Sequence, residues 1–285
     1  PTREGYHFTG WDVDFSNIVS NLTVTAIFAI NEYTLTYTAG ENGSITGTAT
    51  QTVNHGSDGT AVTAAPDEGY HFVKWSDDVT TATRTDENVT GNISVTAEFA
   101  KNEYTLTYTV GANGTISGTT PQTVSHGSDG TAVTAVPDAG YHFVKWSDDV
   151  TTATRNDTGV ARDITVTATF AINEYTMTYT AGANGSISGI TPQTVSHGSD
   201  GTAVTAVPDA GYHFVKWSDD MATVTRTDTG VTGDISVTAE FAINAYTVTF
   251  KNWNGDEIKT QTVEYGSGAM APDDPTREGY HFTGW

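Results

Sequence analysis

Apolar and hydroxyl side chains alternate at the start of the clearest pattern in the chain. Tyr33, Leu35 and Tyr37 fall on one face; Thr34, Thr36 and Thr38 fall on the other. A period of two is the mark of a strand with one covered face. Asn42-Gly43 follows, a pair that accepts positive φ and turns the chain tightly. Residues 44–46 return as a short strand and residues 51–54 form another, stopped by His55, Gly56, Ser57, Asp58 and Gly59. Residues 60–64 and 70–75 read as further strands, separated by Pro66, Asp67, Glu68 and Gly69. An acidic turn at Ser76, Asp77 and Asp78 precedes an edge strand at 81–85. Ile93, Val95, Ala97 and Phe99 then alternate with Ser94, Thr96 and Glu98 to close the unit. No window carries a sustained 3.6-residue apolar period, and Thr, Val and Tyr dominate, so the unit is predicted to be all-β.

The pattern recurs. Tyr33, Tyr104, Tyr175 and Tyr246 stand 71 residues apart. A period this long, with its own turn signals, indicates a string of small domains rather than a thin solenoid. Gly-Tyr-His-Phe, two variable residues and Trp occur five times, at 5–11, 69–75, 140–146, 211–217 and 279–285. A buried aromatic is among the largest contributions to a small core, so this stretch is predicted to be the central strand of each unit. Three long units are expected at 31–101, 102–172 and 173–243. Residues 1–30 carry the C-terminal half of a shorter unit and residues 244–285 the N-terminal half of one. The chain begins at Pro1 inside a repeat, and residues 1–11 and 275–285 are identical, so the natural protein is expected to be longer. Only four residues, 100–103, separate one core from the next; this is neither long nor rich in Gly or Ser, as a flexible linker would be. The array is therefore predicted to be an extended rod.

Charge narrows the partners. The 285 residues carry a net charge of -22 and no Cys. Nothing in such a chain neutralises phosphates, which argues against nucleic acid. No apolar run approaches the ~20 residues that span a bilayer as a helix. Without Cys there is neither a disulfide framework nor thiolate chemistry.

The opening Tyr-Thr-Leu-Thr-Tyr, the Gly-rich turn, Pro-Asp-x-Gly-Tyr-x-Phe-x-x-Trp and the closing Val-Thr-Ala-x-Phe resemble the Listeria–Bacteroides repeat family. The long units are similar to its divergent internalin-type B-repeat branch. The terminal halves, with Asp274-Pro275-Thr276-Arg277-Glu278-Gly279-Tyr280, are similar to the shorter branch. The resemblance implies β-grasp-like or related all-β modules in tandem on secreted or wall-attached bacterial proteins. There they serve as stalks, adhesins or interaction modules, and no catalytic motif carries over. The acidic loop 76–92 departs from an orthodox β-grasp.

Candidate chemistry is thin. His71, His142 and His213 are expected on the outer face of a strand. His55, His126 and His197 stand beside Ser and Asp in one turn, too crowded for a catalytic triad; turn chemistry explains these residues directly. The paired carboxylates Asp77 and Asp78, Asp148 and Asp149, and Asp219 and Asp220 are the weak candidates for Ca²⁺, which takes several oxygen ligands, although no loop has the spacing of a calcium motif. Lys74, Lys145 and Lys216 are expected to snorkel to solvent rather than form isopeptide cross-links. Repetition itself argues against an enzyme, because arrays multiply length or avidity rather than turnover. The sequence therefore points to a non-enzymatic stalk or spacer at a bacterial cell surface, with no cofactor and no membrane insertion. Two alternatives stay open: multivalent binding of a host or cell-surface protein or glycan, and a filament joined end to end through 244–285 and 1–30.

Overall fold

A computed structural model describes all 285 residues. Every element is a strand, so no helix is long and apolar enough to cross a membrane. Backbone packing divides the chain into two compact units. One comprises Pro1–Val110, Ile116–Ala135 and Trp146–Ala168; the other comprises Gly111–Thr115, Val136–Lys145 and Thr169–Trp285. The first long repeat lies wholly within the former and the third wholly within the latter.

In the first repeat, the opening strand Glu32–Ala39 and the closing strand Ile93–Lys101 run parallel at the centre of a four-stranded sheet. Thr50–Asn54 flanks the opening strand and Tyr70–Trp75 flanks the closing one, both antiparallel. A three-stranded sheet is built from Gly43–Thr46, Val62–Pro66 and the two-residue strand Thr83–Arg84. Leu35, Tyr37, Val95 and Ala97 of the larger sheet meet Val62 and Ala64 of the smaller one around Trp75, whose accessibility is 0%. The third repeat copies this arrangement around Trp217, and its core is a separate cluster.

The alternation dictates these elements, and the turns carry the expected backbone. Asn42 and its counterparts Asn113 and Asn184 adopt φ of 67°, 70° and 68°, the left-handed region that Asn tolerates better than most residues. The loop 76–92, which set these units apart from an orthodox β-grasp, supplies Thr83–Arg84 to the smaller sheet. The strand Val62–Pro66 starts at Val62, not Thr60, because the Thr60 N–H is held by the side-chain oxygen of Gln51 at 2.6 Å.

Three strand expectations need correction. The aromatic strand Tyr70–Trp75 is an edge strand of its sheet, not the central one. Its large side chains fill the core from one face, which needs no strand on its far side. A bulge between Phe72 and Lys74 makes this possible. Strict alternation would place Phe72 and Trp75 on opposite faces; the extra residue brings both rings inward, 5.9 Å apart.

At the N-terminal half-unit, where Leu22, Val24 and Ile27 predict a closing strand over residues 22–28, the closing strand is Ala26–Ile30. At the C-terminal one, residues 281–285 form no strand, and only an Arg277–Tyr280 bridge remains. Both differences have one cause. In a complete repeat these segments are held by neighbouring strands, and in each half-unit that neighbour is missing.

Candidate functional site at the repeat junctions

Two polar constellations recur in every long repeat; the sequence singled out some of their aspartates and histidines but not the arginines and asparagines that gather them. The first is buried. Arg84 retains 9% of its accessible surface. Its guanidinium bonds both oxygens of Asp86, at 2.6 and 3.2 Å, and both oxygens of Asp77, at 3.0 Å. The Tyr37 hydroxyl donates to Asp86 at 2.6 Å, and Arg84 lies 5.2 Å over the Trp75 ring. Arg155 with Asp148 and Asp157, and Arg226 with Asp219 and Asp228, repeat the cluster. Tight bidentate geometry is what lets a buried ion pair offset its desolvation cost.

This cluster changes the reading of the paired carboxylates. Asp77 and Asp78 do not converge. Asp77 bonds Arg84, whereas Asp78, at φ 67°, bonds Lys74 at 2.8 Å on the surface. Asp219 and Asp220 divide in the same way between Arg226 and Lys216, and Asp148 bonds Arg155. No group of three or more acidic or histidine side chains gathers in a metal-binding arrangement. Lys74 and Lys216 are thus exposed partners of an i,i+4 pair, of the kind that adds little stability.

Protonation follows from this geometry. Burial pushes the Asp86, Asp157 and Asp228 carboxyls up, but the hydrogen bonds from Arg and Tyr outweigh it and hold all three below the usual carboxylate range. Burial and the hydrogen bond to Asp86 push the Tyr37 hydroxyl well above the usual phenol range. A carboxyl with a depressed folded pKa adds stability that is complete above its unfolded pKa and is lost as pH falls through the folded one. The melting temperature should therefore drop as pH falls below ~4. Thermal melts of the triple variant Asp86→Asn, Asp157→Asn, Asp228→Asn should show a flatter acid limb. An unchanged limb would assign acid sensitivity to other groups.

The second constellation joins neighbouring repeats. A single residue, Asn102, separates the closing strand Ile93–Lys101 from the next opening strand Glu103–Val110. Its N–H donates to Gly69 O at 2.8 Å and its carbonyl accepts from His126 N at 2.8 Å. The His71 Nδ1–H donates to its amide oxygen at 2.9 Å. One asparagine thus ties the aromatic strand of one repeat to the turn of the next. Asn31 joins Gly5, His7 and His55 in this way; Asn173 joins Gly140, His142 and His197; Asn244 joins Gly211, His213 and Tyr265. The ring of His126 lies against Gly69, where a Cβ would overlap it, and Gly69 has φ 80°.

Both histidine sets therefore lie at junctions. His71, His142 and His213 are on the outer face, as expected, whereas His55, His126 and His197 belong to the junction as well as to a turn. The missed signal was available: Asn31, Asn102, Asn173 and Asn244 recur at the 71-residue period.

Grooves open beside two junctions. One is lined by His7, Ile30, Asn31 and Tyr33, the other by His142, Ile172, Asn173 and Tyr175. Gly69→Ala should cost about 1–3 kcal/mol through backbone strain alone, with the ring overlap added. Adding His126→Ala should recover the overlap but not the strain, a non-additivity that calorimetry of the four proteins measures. Strict additivity would show that the ring does not press on Gly69.

Fold and junctions together define a tandem repeat protein of small two-sheet modules. The chain belongs to the divergent InlB B-repeat family, whose description matches residues 33–103, 104–174 and 175–245. A Listeria-Bacteroides repeat domain matches residues 246–285. Both are repeat-domain families rather than enzyme families. The chain is 26% identical over 311 aligned residues to a protein of Evansella cellulosilytica named "Putative Gly-rich membrane protein", covering 99% of this chain and 34% of the relative. It is 41% identical over 85 residues to Internalin H of Listeria monocytogenes, covering 28% of this chain and 15% of the relative. The chain thus spans about a third or less of the length of these relatives.

Proposed function

We propose that these repeats are a non-enzymatic spacer within a large bacterial cell-surface or secreted adhesin, with units near 31–101, 102–172 and 173–243. The observation that carries this reading is the asparagine junction. It recurs at every step of the array, with backbone and side chain both bonded across the joint. A spacer must transmit position from one module to the next, and a one-residue connection bonded on both sides does so better than a flexible linker. The names of the relatives, a membrane protein and an internalin, fit a surface location.

Exchange tests this reading. Residues 31–243 of the parent protein would be replaced by unrelated β domains of similar length, and cell attachment measured. Retained attachment supports a spacer. Loss of attachment with a folded, surface-displayed replacement overturns it in favour of direct ligand capture. That second reading rests on the junction grooves, where an aromatic, an aliphatic and an amide side chain line one opening. Repeated weak sites of this kind would gain by multivalency.

A further inference from the structure

The chain enters each complete repeat at the start of its opening strand and leaves at the end of its closing strand. In the first repeat these points are Glu32 and Lys101, in the second Glu103 and Ile172, in the third Glu174 and Ile243. In each repeat the two strands are neighbours in one sheet and run parallel. The rest of the repeat lies between them in sequence, yet no strand lies between them in the sheet. Tension along the chain therefore pulls two bonded neighbours in opposite senses along their own axes.

We propose that each long repeat is a load-bearing module, and that its parallel ladder carries tension from the entry point to the exit point. This goes beyond the spacer reading, because any folded module keeps distance, and it does not depend on that reading.

Direction decides the resistance. The ladder bonds cross from strand to strand, so a pull along the strands strains all of them together. A pull across the strands opens them from one end, one after another. Slipping the ladder by one residue takes about 3.3 Å, whereas peeling it draws out about that length per residue from each strand. Along the strands the same bonds yield over a path several times shorter, and so at a force several times higher.

The ladder is extended beyond its paired residues. In the first repeat it runs from Leu35 opposite Ile93 to Ala39 opposite Ala97. Before the first pair, the Thr34 N–H donates to the Asn92 side-chain oxygen at 2.9 Å. Thr105 with Asp163 and Thr176 with Asp234 repeat this bond at 2.8 Å. The extra rung stands at the end where the opening strand takes the load. Asn and Asp both serve there because only an acceptor oxygen is used. Past the last pair, the Gly40 N–H donates to Ala97 O at 2.9 Å, and Gly182 to Ala239 O at 2.8 Å.

The rungs are also kept from water, which otherwise replaces a strained hydrogen bond with one of its own. Leu35, Tyr37, Val95 and Ala97 cover the inner face of the ladder and are at most 5% exposed. On the outer face of the second repeat, the Thr109 and Thr167 hydroxyls bond each other across the strands at 2.7 Å. One residue, Asn102, separates the first ladder's closing strand from the second's opening strand, which leaves little slack between them.

Single-molecule force spectroscopy of the 285-residue chain tests this. The chain has no Cys, so two introduced thiols fix the direction of pull. Glu32→Cys with Lys101→Cys loads the first ladder along its strands. Glu32→Cys with Gly91→Cys loads it across them, because the register, continued outward, sets Glu32 level with Thr90. Glu32 and Lys101 are exposed, and a Cβ at Gly91 meets nothing within 4 Å. Rupture along the strands should need at least about three times the force of rupture across them. Asn92→Ala deletes the extra rung outside the core and should lower the force between residues 32 and 101. Forced rupture reads the barrier to unfolding rather than overall stability, so a thermal melt checks separately that this variant is folded. Equal forces in the two directions overturn the proposal. So does a force between residues 32 and 101 that a folded Asn92→Ala chain leaves unchanged.

Discussion

Arg84→Met is expected to destabilise the first long repeat by about 3–5 kcal/mol, the cost of leaving a buried carboxylate without its partner. Asp86 carries most of this effect. Its side chain is 15% exposed and bonds both Arg84 and Tyr37, whereas Asp77 is 40% exposed and keeps water as an alternative. A small domain has only about 5–15 kcal/mol of stability in total, so the variant should leave residues 31–101 largely unprotected in hydrogen exchange. Removing the charge on both sides, as Arg84→Met with Asp86→Leu, should restore part of the loss, because a buried pair replaced by apolar groups of similar volume is often neutral. The measurement is exchange protection across 31–101 in both variants. A loss under 1 kcal/mol for Arg84→Met would show that the cluster behaves like a surface pair.

Trp146→Ala should cost a similar amount, about 3–5 kcal/mol, by opening a cavity in the middle repeat. The ring has no accessible surface. It packs 6.0 Å from Tyr108, lies under Arg155 at 5.2 Å, and donates from Nε1 to Thr152 O at 3.1 Å. Few neighbours can collapse into so large a hole, which places the cost toward the upper end of that range. The clusters around Trp75 and Trp217 draw only on their own repeats. Exchange protection should therefore vanish within 102–172 and persist in 31–101 and 173–243. Loss of protection along the whole chain would show that the junctions bind the cores into one cooperative block.

The strands were legible because their side chains declare their faces. Tyr33, Leu35 and Tyr37 alternate with threonine, and Asn42-Gly43 supplies the positive φ that the turn needs; both depend on neighbouring residues only. The 71-residue recurrence likewise set out the tandem order, and the aromatic stretch marked where the cores lie. The structure decided what depends on distant partners. Phe72 and Trp75 share a face only because a bulge against the closing strand re-aims one of them, and local alternation cannot register a bulge set by the partner strand. Asp77 and Asp78 are neighbours in sequence, yet one is drawn inward by Arg84 and the other outward by Lys74. Asn102 looks like an ordinary turn residue until the fold brings Gly69, His71 and His126 around it. By itself the sequence determined the alternating strands, the turns and the period. The edge position of the aromatic strand, the buried Arg–Asp–Tyr cluster and the asparagine junction were decided by the tertiary structure, because each consists of hydrogen bonds and close contacts between residues far apart in the chain.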